Sequence, residues 1–546
     1  MSNTRATAPA RVFWEQALVG LAVPARVYWL YLGKFALYIA GWGVFCAFNE
    51  HTDSTAPWYF QPEAFKKFVV FSILFEGLGL GCSSGPLSTF IGVWFTPHRY
   101  FMTPGTMKLP FIEGLPVFGS HRRSWLDVAL YIANNVLLVR ALIAPRIDAL
   151  DHVLPQLLVA TLMGLSDRAQ FLCMRPEQYL YMMVCFLSPD WIAGAKWVQF
   201  AIWMGAGISK LNHIFPYVTL ALAATHPFLG SSPHVKQRFM RSPSDLRPSQ
   251  LCKRITHVAT VVEISFPIVL MLSDGGPTTK LALIVMTLFH LNIMTSMPPA
   301  VPVEWNIFVL YSMYFLFGHH AADSASVASP GLSAFLCVTL IGLPVLGNVW
   351  PGRTSFLIAM RYYAGNWAYS SWMFRGEAAY EKLGQIEVGA RPFKLEKRPM
   401  IPWPRLTKPL NAGTLHLLGR GLLLLWPKAA GGYENVDKYI ALFGDGMSRR
   451  LLGWSFGDGH LHDERLLRAV QARCSFQPGE LVHIFVESQP LLRQSVQYRI
   501  TDAATGQLEI GEIPISTLRT LQPRAAETTI ASEPPSGMSY AESSAE

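Results

Sequence analysis

Charge is what this chain has least of. Only 15% of its 546 residues are Asp, Glu, Lys or Arg, against about 25% in soluble domains. With 51% of residues hydrophobic, the solvent that fits such a chain is lipid. Paired cysteines are missing too. Cys46, Cys82, Cys173, Cys185, Cys252, Cys337 and Cys474 stand singly, with no CxxC, which argues against a disulfide framework or thiolate metal cage and implies free thiols. Residues 1–26 contain Arg5, Arg11 and Arg26 but no apolar core or cleavage site, so the first span is expected to serve as its own address. Walker A, GxGxxG, DDxxD and DxDD strings do not occur, which leaves nucleotide-driven chemistry and the familiar terpene-cyclase motifs without support. The net charge of +9 sits in loops beside apolar runs, so it is read as setting membrane orientation, with no nucleic-acid partner.

What the chain has instead is long apolar runs. A bilayer-crossing helix needs about 20 apolar residues. Runs at 27–48, 68–95, 125–144, 192–222, 256–273, 280–297, 303–319 and 331–350 qualify, and shorter runs at 152–165 and 178–188 leave their crossing open. If both cross, the chain spans ten times and its termini share a side. The loops 97–124 and 225–255 are basic, as is 391–408, whereas 49–65 and 320–330 contain no Lys or Arg. Lys/Arg-rich loops stay cytoplasmic, which places both termini in the cytoplasm.

The expected fold is an α-helical polytopic membrane protein, with about 8–10 transmembrane helices and a small β-rich cytoplasmic C-terminal domain. Its expected parts are a cytoplasmic segment (1–26), a transmembrane domain (27–350), an interfacial helix and Pro-rich linker (351–413), a small α/β or β-rich soluble domain (414–522) and a disordered tail (523–546). The aromatic-rich 354–375 reads as the interfacial helix. Within the soluble part, 495–515 alternates as a hairpin around Gly506, and 481–488 reads as a further strand.

The run 191–224 contains Ser209, Lys210 and Asn212 in "WMGAGISKLN". A lysine at bilayer depth costs about 2.5–3.5 kcal/mol on insertion scales. Helical spacing collects Lys196, Gln199, Trp203, Gly207, Lys210 and His213 in a polar stripe, and Ala201, Gly205 and Ser209 in a small-residue stripe suited to close packing. Facing an internal cavity, a desolvated lysine loses its proton more readily and serves as a base. The blander reading is a lysine paired with a carboxylate, or snorkelling to the interface. Glu263, Glu76, His290 and Asn292 lie in other spans. A carboxylate beside Lys210 would hold it charged and exclude the base role. His290 has the alternative of bonding a neighbouring helix, and Glu76, among Gly77, Gly79 and Gly81, that of a tightly packed kink.

The strings "GAGISKLN", "VEISFP" and "FHLNIMTSMPPAVPVEWNIFVLY" resemble the transmembrane module of the vitamin K-dependent gamma-carboxylase superfamily, over about 190–320. "SKLNH", "NWAYSSWMFRG" and "LGWSFGDGHLHDERLL" resemble an uncharacterised domain-of-unknown-function family of multi-spanning bacterial proteins along the whole chain. The first resemblance implies a catalytic lysine at Lys210 and a His-bearing helix at His290. A tail this small, on the cytoplasmic side, is unsuited to secreted protein substrates, so protein carboxylation is not expected.

The expected function is therefore a membrane-embedded enzyme for a lipophilic substrate, isoprenoid, quinone or polyketide-like, in lipid or secondary metabolism. Lys210 is its base, with His290 and Glu263 assisting; Trp203, Asn212, His213 and Asn292 are the expected substrate contacts. The alternatives are an isoprenoid cyclase using a buried carboxylic acid (Glu263 or Glu76), and a non-catalytic transporter or scaffold recruiting a cytoplasmic protein through the tail. No cofactor is expected. In "FGDGHLHDER", Asp458, His460, His462 and Asp463 crowd six residues, too few positions to surround one ion, so no metal is expected; the motif reads as a turn followed by an Asp463/Glu464 helix start. A cysteine placed at Ser326 is expected to react with an impermeant maleimide on intact cells, and one at Ser536 only after lysis. Labelling of Ser536→Cys in sealed cells would reverse the orientation.

Overall fold

The computed structural model describes residues 25–50, 57–81, 96–226, 233–242, 245–296, 303–352, 365–386, 416–454 and 460–522. Its principal membrane-domain helices are α1 (Ala25–Cys46), α2 (Pro62–Gly77), α3 (Trp125–Ile143), α4 (Ala149–Ser166, opening on a wide turn), α5 (Trp191–Ser209), α6 (Phe215–Thr225), α7 (Gln250–Leu272), α8 (Pro277–Ser296), α9 (Val303–Met313, continued by a wide turn Tyr314–His319) and α10 (Pro330–Val349). Among the described residues five helices are long and apolar enough to cross a membrane: α3, α4, α7, α8 through Thr295, and α10. That is fewer than the eight to ten expected: the apolar part of α1 is only Leu32–Cys46, α2 ends at Gly77 with 82–95 outside the described residues, α5 carries Lys196 and Gln199, α9 is 11 residues long, and the pass through 168–185 is in pieces.

Contacts sort the helix ends into two faces. At the first, Ser124 caps α3 in a box with Asp127, Lys108 binds Asp127 at 2.7 Å and Ser166 at 2.6 Å, and the Arg168 amide bonds Leu109 O at 2.8 Å. At the second, Glu50 N meets Pro145 O, Ile147 N meets Glu63 Oε2, Lys196 Nζ holds the carbonyls of His320 and Asp323, and Ser329 N meets Asp190 Oδ2. Between these faces the described chain passes ten times. The run 152–165 lies inside α4. The run 178–188 belongs to a pass in pieces, Arg168–Cys173, Pro176–Leu180 and Tyr181–Cys185, interrupted where Arg175 adopts a left-handed φ of 50°. Aromatic packing seats α1 on α2: Tyr38 lies 5.0–5.6 Å from Phe68, Phe71 and Phe75, and Trp42 stacks on Phe68. Gly41 permits this approach, since a Cβ there would stand 2.6 Å from Phe71 Cζ.

Beyond the first face lies a small hairpin, β1 (Met240–Ser242) with β2 (Asp245–Pro248), and then a five-stranded antiparallel sheet of order β4-β3-β5-β6-β7. The strands are β3 (Tyr369–Arg375), β4 (Tyr439–Phe443), β5 (Leu481–Val486), β6 (Ser495–Asp502) and β7 (Gly506–Pro514). The expected strand and hairpin are β5 and β6–β7. The expected interfacial helix is corrected: its last residues form β3, the second strand of the sheet, while 353–364 lie outside the described residues. Strand alternation explains why. Trp372 and Phe374 fill one face, covered by α12 (Gly444–Leu452) and α13 (Glu464–Cys474), and Met373 fills the other, against α11 (Leu417–Ala430). The apparent amphipathic aromatics are thus core residues of a sheet buried on both faces.

This sheet domain is fastened to the membrane part. Arg473 donates to Gly105 O at 3.0 Å, Arg468 pairs with Glu113, and Arg420 reaches Leu246 O at 3.1 Å. Deeper in the same seam, Arg123 and Asp167 pair at 2.8 Å with both side chains fully buried. Removing one partner of a buried pair leaves the other charge uncompensated. Arg123→Ala is therefore expected to cost about 3–5 kcal/mol, read as a lowered Tm in detergent; a Tm within a degree of the parent would remove this pair from the fold's supports.

Candidate functional site

The expected span 192–222 is two helices, so Lys210 stands at a break and not within a helix. It forms the C-cap of α5, and α6 starts at Phe215. The local sequence explains the interruption. Pro216 fits the first turn of α6 but disfavours continuation of a helix through the preceding residues. Asn212 replaces the lost backbone bonds: its Nδ2 donates to Ser209 O at 2.6 Å and its Oδ1 accepts from Ile214 N at 2.9 Å. Asn212, expected to contact substrate, closes the chain across the break. His213 is half-buried beside it.

Lys210 Nζ donates to Glu263 Oε2 of α7, and both side chains are buried. Above the ammonium lie the rings of Phe215 and Phe289, at 5.0 and 5.2 Å from their centroids. Gly207 allows α5 and α7 to approach this closely; a Cβ there would lie 2.6 Å from Ile264 Cγ1. The pairing is the carboxylate-paired alternative of the sequence reading, with two aromatic faces beside the same Nζ.

His290 lies on α8, one helix further on. Its Nε2 accepts from Trp203 Nε1 at 3.0 Å, and its Nδ1 lies 2.9 Å from Asn306 Oδ1. An indole N–H only donates, so these two partners assign the Nδ1–H tautomer. The ring thereby ties α5, α8 and α9 together, and both nitrogens are occupied. Asn306 was missed in the sequence, where "VEWN" offers no periodic cue to the histidine it holds. Asn292 lies on the exposed side of α8, two residues and roughly 200° from His290. The structure thus brings together Lys210, Glu263, Trp203 and His290 and leaves Asn292 apart.

A second ionic cluster occupies the other broken pass. Lys34 and Glu304 pair at 2.5 Å. Glu76 is fully buried, with its carboxylate facing Gly81 and feeling the charges of Arg175, Glu304 and Lys34. Arg175 lies over the Trp305 ring at 5.5 Å, and Tyr38 bonds Ser72 nearby. The packed kink expected at Glu76 is therefore also an electrostatic centre. Its sequence signal was the Arg-Pro pair between two apolar runs in "CMRPEQYL", a break with a charge in it.

In the sheet domain, Asp463 caps α13 by accepting from Arg465 N at 2.9 Å, as the sequence implied; 455–459, including Asp458, lie outside the described residues. His460 Nε2 pairs with Glu487 at 2.6 Å, and His483 Nε2 donates to His462 O at 3.0 Å. Among the described residues no group of three or more His, Cys, Asp or Glu is arranged to hold a metal ion. Burial pushes the His483 and His416 imidazoles down to about 4. An imidazole depressed below its unfolded value of about 6.5 stabilises the fold above that value, and the contribution is lost as pH falls towards 4. Acidification from pH 7 to 5 is expected to lower the unfolding temperature of the sheet domain, followed by fluorescence of buried Trp372 and Trp426; a flat profile would contradict it.

For the membrane pair, Glu263→Ala is expected to destabilise by about 3–5 kcal/mol, and Lys210→Met combined with it to recover much of that loss. Detergent melts of both single variants and the double variant read the cycle, and strictly additive losses would show that the two groups do not interact.

No curated protein and no solved structure matches the chain. A family model described as "Transmembrane protein of unknown function (DUF3556)" matches residues 3–534. The broken, ion-bearing passes and the sheet domain fastened beneath them are thus those of a transmembrane protein, and the chain belongs to the DUF3556 family.

Proposed function

We propose that this transmembrane protein is an enzyme for a lipophilic, carbonyl-bearing substrate such as a quinone or polyketide-like molecule, with Lys210 as a charged hydrogen-bond donor and Glu263 as its proton acceptor. The observation that carries this reading is the surrounding of the ammonium. Its Nζ, which carries three N–H groups as an ammonium, donates to Glu263 and stands 5.0 and 5.2 Å from the centroids of the Phe215 and Phe289 rings. An aromatic face holds a cation but accepts no proton from it. A carbonyl oxygen entering beside the rings would take a donor of full charge in a low-dielectric site, where negative charge developing on that oxygen is strongly stabilised. His290, locked by Trp203 and Asn306, acts as a positioning residue for α5 against α8.

A transporter is the second reading, favoured by one observation. Two passes are discontinuous and each break bears an ionic cluster, and broken helices with charged groups at membrane depth mark substrate and ion pathways. Lipid extracts from membranes holding the parent protein, Lys210→Met and Lys210→Arg separate the readings. The enzyme reading expects a product that falls about 10²–10³-fold with methionine and is partly restored by arginine. Product formation unchanged by Lys210→Met would end it, and lipid movement across vesicles without conversion would favour transport.

A further inference from the structure

Glu76 stands in the last turn of α2, among groups that the Lys210 pair does not touch. It lies about 20 Å along the helix from Glu63 at the second face, at about 1.5 Å per residue, and so deep within the bilayer. Its side chain is fully buried, and neither carboxylate oxygen has a hydrogen-bond partner among the described residues. The two cations whose charge it feels are engaged elsewhere. Lys34 pairs with Glu304 at 2.5 Å, and the Arg175 guanidinium lies 5.5 and 5.8 Å from the rings of Trp305 and Trp454, the latter brought by the sheet domain. Gly81 faces the same carboxylate. A Cβ there would overlap Oε2, so glycine is what leaves the acid its place.

A buried carboxylate without hydrogen bonds is among the costliest side-chain states, and a buried polar atom without a protein partner points to a ligand or a chemical role. Charge decides which ligand fits. Facing Glu76 are Lys34 and Tyr38 from α1, Tyr131 from α3, Glu304 from α9, and Cys173, Arg175 and Tyr179 from the broken pass. Tyr131 and Cys173 donate to the backbone carbonyls of Gly77 and Glu76, not to the carboxylate. With both glutamates ionised, the charges of Lys34 and Arg175 are balanced. A metal cation would add charge beside those two, and an anion would meet two carboxylates. A proton needs neither a cage of ligands nor a counter-charge, and it turns Glu76 into a neutral acid with an O–H to donate. Hydroxyl groups continue from there towards the second face: Tyr179 lies beside Tyr38, whose hydroxyl bonds Ser72 Oγ at 2.5 Å, one turn before Glu76 on α2.

We infer that Glu76 is a reversible proton-binding site within the membrane, in exchange with bulk water. The step is a proton transfer alone, from hydronium to a carboxylate oxygen and back to water, with no other bond changed. Occupancy takes the cluster from balanced charge to an excess of one positive charge, beside the break at Arg175 and its contact with Trp454 of the sheet domain. Intramembrane carboxyls that gain and lose a proton are the elements from which proton relays are built. The inference does not rest on the reading of Lys210.

Infrared difference spectroscopy of the full chain in nanodiscs, titrated between about pH 5 and 9, reads the carbonyl band of a protonated carboxyl. A band is expected that is present at the acid end, lost at the alkaline end, shifted in D2O and missing from Glu76→Gln. Dicyclohexylcarbodiimide, which modifies protonated carboxyls in apolar surroundings, gives a readout that needs no substitution. The peptide bearing Glu76 should be labelled severalfold more at the acid end than at the alkaline end, and the paired Glu304 and Glu263 should be spared at both. No band removed by Glu76→Gln, or no label on Glu76 at any pH, would show a permanently ionised carboxylate and overturn the site. A Glu76 band that neither titrates nor shifts in D2O would show a sealed acid, which overturns the exchange. Loss of the band or of the label on adding sodium chloride at constant acid pH, with choline chloride as control, would overturn the proton as the ligand in favour of a metal cation.

Discussion

A helix broken inside lipid must find partners for the backbone groups that the break releases, because no water is there to take them. Much of the membrane domain follows from meeting that constraint twice. At residues 210–214 the partner is Asn212, which bonds on both sides of the gap. At Arg175 the chain turns through a left-handed residue before Pro176, and the Arg175 amide bonds Leu172 O at 3.1 Å. Each repair leaves a basic side chain at the gap, and each base is answered by carboxylates from neighbouring helices: Glu263 for Lys210, Glu76 and Glu304 in the field of Arg175. Charge and interruption thus occur together for a structural reason before any chemistry is invoked.

Ion pairs of this kind contribute little net stability, since desolvation consumes most of the attraction. What they fix is arrangement. Lys210 can satisfy Glu263 only with α5 against α7 in one register, which Gly207 permits at contact distance. His290 adds a second constraint, joining α5 and α9 through α8. A substrate group that drew the ammonium away would leave Glu263 to find another proton or another partner. That coupling between occupancy and helix position is available to an enzyme and to a transporter alike. The two differ in whether a bond of the bound molecule changes.

Much of this was legible in the residues. Apolar runs marked a membrane protein, because lipid imposes a length and a composition that soluble folding does not, and five of the described helices have that length and composition. The strings at Lys210 and Glu263 each stood out as ionisable groups at membrane depth. Their pairing was not legible, since it depends on the crossing of α5 and α7, and nothing local to either string reports that. The stretch 365–375 misled for a related reason. Trp367, Tyr369 and Trp372 have the look of an interfacial helix, but a strand covered on both faces also shows few polar positions, and periodicity does not separate the two. Arg175 was overlooked because a short apolar run on each side diluted the signal of one charge.

Helix α5 is asymmetric in a way that the stripes in its sequence anticipated only in part. Its polar stripe, from Lys196 through Trp203 to Lys210, is consumed by contacts with neighbouring helices and loops. Its small-residue stripe was expected to seat another helix, and near Gly194 it does. Further along, at Ala201 and Gly205, α10 has moved away and the small side chains border open space. Small residues left uncovered beside lipid make a concave surface where a bulkier sequence would have made a flat one. One face of α5 thus fixes charges within the protein, and the other borders an apolar groove between α5 and α10.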